Sequence, residues 1–165
     1  KNSGAAGLTI VVIREDLIGH APANTPHMFD YKTHAETGSG YNTPPTYSVY
    51  IAGLVFDWIA QQGGLAAMAK RNQEKANLLY DVLDSSEFYF APVRKEDRSL
   101  MNVTFTLKNA DLEGAFLKGA EGRGMVQLKG HRAVGGVRAS IYNAMPIESV
   151  GRLAEYMREF QAQNG

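Results

Sequence analysis

No cysteine occurs in the 165 residues, which removes disulfides, thiolate metal ligands and cysteine nucleophiles together. That absence fits a reducing compartment, and a cytoplasmic location is expected. Net charge is missing too: 17 basic residues balance 17 acidic ones, so no overall field draws the chain to nucleic acid or to an anionic surface. Any anion must be gripped locally. No apolar run approaches the ~20 residues that cross a bilayer, and the start lacks the basic-then-apolar build of a secretion signal. Neither a nucleic acid nor a membrane is expected as a partner. The loop-like spacing of His20, His27 and His34 carries no carboxylate pattern of a zinc site, and no metal is expected. Repeats are also lacking. The chain opens on Lys1 rather than on methionine, a few residues before a core-like run, and reads as a fragment of a longer protein.

What is present is patterned. Leu8-Thr9-Ile10-Val11-Val12-Ile13 is apolar and β-branched on both faces, which predicts a strand covered from both sides. Gly19 to Gly40 holds two prolines and little periodicity, and reads as a long irregular loop of the functional kind. Asn42-Thr43-Pro44-Pro45 opens a helix, with Asn42 or Thr43 as cap and Tyr47, Tyr50, Ile51, Leu54, Val55 and Trp58 on its apolar face. Gly63-Gly64 ends it. A second long helix carries Leu65, Met68, Ala69, Ala76, Leu79 and Leu83 as a stripe that Asn72 interrupts. Shorter elements follow: strands over 88–91, 101–107, 125–128 and 137–141, a helix around Phe116, and a last helix with Ile147, Val150, Leu153, Ala154, Met157 and Phe160 inward. Their order predicts a small α+β sandwich after the second long helix.

Three places can carry chemistry. Lys1 stands on a glycine-rich approach (Gly4, Gly7) to the first apolar run. Desolvated there, its amine would lose its proton readily and attack an aldehyde; left in solvent it is an ordinary lysine. The start of the helix after Asn42-Thr43 offers N–H groups, a positive dipole end and a hydroxyl, a set that suits a phosphate monoester and equally suits simple capping. In Gly130-His131-Arg132-Ala133-Val134-Gly135-Gly136-Val137-Arg138, two guanidinium groups flank a flexible Gly-Gly, as two-pronged capture of carboxylate or phosphate requires. Two surface arginines making weak ion pairs remain the alternative.

Taken in order, Lys1-Asn2-x-Gly-x-x-Gly-Leu-Thr, Tyr41-Asn42-Thr43-Pro44-Pro45-Thr46 and Gly130-His131-Arg132-x-Val134-Gly135-Gly136-x-Arg138-Ala-Ser-Ile-Tyr-Asn resemble the C-terminal portion of the phosphoserine aminotransferase family, from Lys1 to the final helix. The resemblance implies an α/β, fold-type I, pyridoxal-phosphate-dependent transferase. Residues 1–72 would be the C-terminal segment of a large cofactor domain, and 73–165 a small α+β domain. It further implies a homodimer with active sites at the subunit interface. The implied reaction moves an amino group between phosphoserine and 2-oxoglutarate, giving 3-phosphohydroxypyruvate and glutamate in serine biosynthesis and, in many bacteria, serving pyridoxine synthesis.

By the same resemblance, Lys1 matches the lysine that forms an imine with pyridoxal 5'-phosphate and then shuttles a proton. Asn42 and Thr43 match the pair that reaches the cofactor phosphate of the neighbouring subunit. His131 and Arg132 match residues near the substrate's phosphate or distal carboxylate, and Arg138 the clamp on the α-carboxylate. The ring-stacking aromatic, the aspartate that pairs with the pyridine nitrogen and the glycine-rich phosphate segment have no counterpart in the sequence, so the isolated chain is expected not to transaminate. Another fold-type I aminotransferase, or a non-catalytic anion-binding or dimerisation module, stays open at this point.

Overall fold

The computed structural model describes residues 2–165, and Lys1 lies outside them. The chain forms two compact units, the first ending at Trp58 and the second running Ile59–Gly165.

The second unit is built on a long helix, α3, Gly64–Asp84, and on three strands that follow it: β1, Tyr89–Phe90, β2, Asn102–Leu107, and β3, Val137–Ser140. All neighbours are antiparallel in the order β1-β2-β3, with Tyr89 opposite Leu107, Val103 opposite Ala139 and Phe105 opposite Val137. The alternation read in the sequence holds. Val103, Phe105 and Leu107 are buried, while Asn102, Thr104 and Thr106 are half-buried on the other face.

Helices cover the apolar face of that sheet: α3, then α4, Glu113–Glu121, then α5, Ile147–Asn164. Tyr89, Phe105, Phe116, Tyr156 and Phe160 meet mostly edge to face, with centroids 4.9–6.1 Å apart. Such pairs contribute about 0.5–1.5 kcal/mol each beyond the area they bury. Of the inward face expected of the last helix, Val150, Leu153, Ala154, Met157 and Phe160 are buried and Ile147 is half-buried, and Tyr156 joins it with its hydroxyl donating to the Phe116 carbonyl at 2.7 Å. Gly63, at φ +95°, separates α3 from α2, Thr46–Gln61, as the Gly-Gly pair predicts.

Several expectations give way. Of the stripe expected on α3, Met68, Ala76, Leu79 and Leu83 are buried but Leu65 and Ala69 are exposed, and Asn72, Lys75 and Val82 are buried beside them. Residues 125–128 form no strand: Gln127 turns to φ +64°, and the ladder beside β3 shrinks to one bridge between Lys129 and Val137.

In the first unit, Leu8 to Ile13 is not a strand. The segment is in no ladder with any described residue, and Val12 is 96% exposed. A strand exists only through a partner's carbonyls and amides, and no described residue supplies them. The predicted loop over 19–40 contains a short helix, α1, Tyr31–Glu36, capped by the Asp30 side chain, which accepts from the Lys32 amide. Helix α2 starts at Thr46, beyond both expected caps, and the residues it buries are Ser48 and Ala52 rather than the aromatic stripe; Tyr47 and Tyr50 are exposed. The reason is close backbone approach. Ser48 Oγ donates to the Ala6 carbonyl at 2.9 Å, and a Cβ on Gly4, at φ +115°, would stand 3.2 Å from the Ala52 amide nitrogen. Small side chains are buried where main chain lies against a helix.

Candidate active site

The expected site residues fall into the two units, and each set is described where it lies. In the second unit, β3 carries Arg138 opposite Thr104 on the polar face of the sheet. Beside this edge strand opens a cavity of about 560 Å³, bounded by the 124–128 segment, by Arg138 to Tyr142, and by Met145, Ser149 and Arg152 at the start of α5. The Arg138 amide donates to the Leu128 carbonyl at 2.7 Å, which ties the two walls together. Its side-chain Nε is buried without a hydrogen-bond partner among the described residues. A buried guanidinium N–H left unmatched costs free energy, and Arg138 is the arginine of the expected set that borders the cavity.

His131 and Arg132 lie in the turn that leads into β3 and are exposed. They do not line the cavity. The turn is defined by its own bonds: the Gly130 amide donates to the Gly136 carbonyl at 2.8 Å, and the Val134 and Gly135 amides to the His131 carbonyl at 2.9 and 2.7 Å. The Ala133 amide donates to His131 Nδ1 at 3.2 Å, so the ring's Nε2 is the nitrogen that carries a proton and can donate. Glycine is required here for space. A Cβ on Gly130 would overlap the Gly135 carbonyl, and one on Gly136 would meet the Phe105 carbonyl oxygen at 2.8 Å, with φ +71° besides. The glycines permit the tight turn that aims Arg132 and His131 outward.

In the first unit, Asn42 and Thr43 are exposed just ahead of α2. Asn42 Nδ2 donates to the Met28 sulfur at 3.2 Å, a weak acceptor that an anion would replace readily. Neither residue caps the helix. Two of the loop histidines have structural partners: His27 stacks on Tyr41, and His34 Nε2 meets the Met28 carbonyl at 3.1 Å. Lys1, the expected nucleophile, is outside the described residues.

Sequence reasoning missed the groups that hold the cavity wall from behind. Lys75 is fully buried, and its Nζ donates to the Tyr142 carbonyl at 2.7 Å and the Ile141 carbonyl at 3.2 Å. Burial, aided by the nearby Arg71 charge, pulls its pKa below the usual lysine value. Asn72 Nδ2 donates to Asn143 Oδ1 at 2.8 Å. The signal was there: 72, 75, 76 and 79 share one helix face, so two polar residues sit on the stripe that faces the core.

The model of the aminotransferase class-V family matches residues 1–153. The chain belongs to that family. This class-V aminotransferase chain is 59% identical to the phosphoserine aminotransferase of Nitrosomonas europaea over 98% of its own length and 44% of that relative's. A solved phosphoserine aminotransferase, studied for radiation damage of its Schiff base, superposes with a TM-score of 0.93 at 48% identity, covering 99% of this chain and 46% of that one. A pyridoxal-phosphate-bound phosphoserine aminotransferase from Trichomonas vaginalis gives 0.76 at 38% identity over 83% of this chain and 39% of its own. The fold is therefore the α/β one of fold-type I aminotransferases, and the class-V chain spans less than half the length of the relatives it matches. Among the described residues, no helix is long and apolar enough to cross a membrane.

Proposed function

We propose that this chain belongs to a phosphoserine aminotransferase that exchanges an amino group between phosphoserine and 2-oxoglutarate, giving 3-phosphohydroxypyruvate and glutamate in serine biosynthesis and serving pyridoxine synthesis. Residues 1–72 then complete a large cofactor domain and 73–165 form the small one. The cofactor is pyridoxal 5'-phosphate, the assembly a cytoplasmic homodimer with its active sites at the subunit interface. The observation that carries this reading is the Arg138 side chain at the wall of a cavity of substrate size. Similarity to proteins of that name across nearly the whole chain supports it.

The residues fit the cofactor's charge as well as the substrate's. When bound, pyridoxal phosphate supplies an electron sink for the carbon that loses its proton. Asn42 and Thr43 would donate to its phosphate from their exposed turn, with Asn42 giving up only a sulfur partner. Lys1 would hold the cofactor and, as a free amine, carry the proton to and from the substrate Cα. Arg138 would fix the α-carboxylate with its planar fork, and that grip orients the Cα–H bond. Arg132 and the His131 Nε2–H would meet the distal anion, phosphate in one substrate and carboxylate in the other. Two separate anion grips explain how one site accepts both phosphoserine and glutamate.

The test is to incubate the full-length gene product with pyridoxal phosphate, phosphoserine and 2-oxoglutarate and to measure glutamate. Glutamate formation, with a visible absorbance band that borohydride bleaches, is the expected result. A protein with neither the band nor the product refutes the assignment and favours an anion-binding module.

A further inference from the structure

We propose that Lys75, assisted by Asn72, is a positioning residue for the anion clamp: it pins the main chain just beyond Arg138 and so sets how well that arginine receives a carboxylate. The inference rests on the assignment of Arg138 as that clamp, made above.

The strand ladder gives out where the pin takes over. Ser140 is the last residue paired with β2, and the Ile141 amide makes one more bond, to the Met101 carbonyl at 2.8 Å. The next two carbonyls, of Ile141 and Tyr142, lie beyond the ladder, and that of Tyr142 also accepts from the Met145 amide at 2.9 Å in the turn before α5. Lys75 Nζ donates to both, and Asn72 fastens Asn143 one residue further on. The front of the same run, Arg138 to Tyr142, is the wall of the cavity. Three consecutive residues at that wall's end are thus held from α3 while the wall's face is turned to the ligand.

The choice of lysine is informative. A methionine would fill the same space without the cost of burying a cation beside Arg71, but it would leave the Ile141 carbonyl without its donor and the Tyr142 carbonyl without the lysine that it shares with the Met145 amide. With neither lysine bond, the Ile141 peptide unit can rotate toward the cavity to find water, and the wall that carries Arg138 moves with it. A displacement of order 1 Å in a positioning group is enough to cost roughly 100-fold in an oriented reaction.

The experiment uses the full-length holoenzyme and compares Lys75→Met with Tyr156→Phe, which deletes an equally buried bond to a main-chain carbonyl, that of Phe116, away from the cavity. Affinity for glutarate, a dicarboxylate that cannot transaminate, is measured by calorimetry beside kcat and KM for phosphoserine. Thermal midpoints are recorded for both variants. Both midpoints are expected to fall. Only Lys75→Met is expected to weaken glutarate binding, by roughly tenfold, and to lower kcat/KM for phosphoserine by roughly 10- to 100-fold. Equal affinities in the two variants, or equal losses, overturn the proposal. Should Lys75→Met fail to fold, Asn72→Ala carries the same comparison, with a smaller loss expected and an unchanged affinity overturning it. A wild-type protein that binds glutarate but makes no glutamate refutes the aminotransferase assignment and leaves the comparison of variants intact.

Discussion

Arg138 and Gly136 lie two residues apart, and their requirements are of different kinds. Arg138 is needed for the shape of its donors, because it borders a cavity where a flat carboxylate would meet two guanidinium N–H groups at once. Arg138→Lys keeps the charge and loses the fork. In the full-length enzyme it is expected to lower kcat/KM for phosphoserine by roughly 10- to 100-fold, the worth of one or two hydrogen bonds to a charged group, with circular dichroism unchanged. Gly136 is needed for what it lacks. A Cβ there would press on the Phe105 carbonyl oxygen at 2.8 Å from a left-handed backbone, so Gly136→Ala is expected to destabilise the chain by about 1–3 kcal/mol in urea unfolding. Both residues stood out in the sequence, since two arginines around a Gly-Gly are conspicuous. Lys75 did not, because a lysine within a helix reads as solvated until the fold shows carbonyls waiting for it.

Among the elements, those that bury one face against their neighbours in sequence were legible. β2 alternates as written, and the inward residues of α5 are the apolar ones at helical spacing. The failures share a cause, which is that a pattern names a buried face without naming what buries it. Leu8 to Ile13 has the composition of a central strand, yet its backbone pairs with nothing described and Val12 is almost fully exposed. The stripe expected on α2 fails for a related reason: glycine backbone at Gly4 selects Ser48 and Ala52, and no apolar pattern announces main chain as a packing partner. Of the expected site residues, Arg138 borders the cavity; the cavity itself was not legible, because Met125, Met145 and Ser149 reach it from segments separated in sequence. The contrast between the two apolar runs can be measured. Amides of Leu8 to Ile13 are expected to exchange with deuterium within the mixing time in the 165-residue chain, while those of Val103 and Phe105 exchange only on global unfolding. Comparable protection in the two segments would show that the first run has found a partner.

At the scale of the whole molecule, the continuous core lies between Ala76 and Phe160, inside the second unit. That unit's edge is fastened by charge. Asp84, closing α3, accepts a two-pronged bond from Arg98 at 2.7 and 2.9 Å and lies 3.0 Å from Lys95, while Arg98 stacks over the Tyr80 ring at 4.5 Å. Arg98 is largely covered, its side chain 12% exposed, so this pair is less screened than the open pairs around Arg94. The guanidinium bonds to Asp84 hold its carboxyl down at about 2, against 3.8 for the free group. The folded state therefore binds this proton less readily than the unfolded chain does. Stability from the pair is fully present above pH 3.8 and is lost as pH falls through the folded value. Unfolding in urea is followed for the native chain and for Asp84→Asn from neutral pH down to about 2. The native chain is expected to be the more stable at neutral pH, with the two converging at the acid end. A gap that stays constant with pH would mean that the substitution costs packing rather than charge, and that the ion pair contributes nothing to holding α3 against the loop that follows β1.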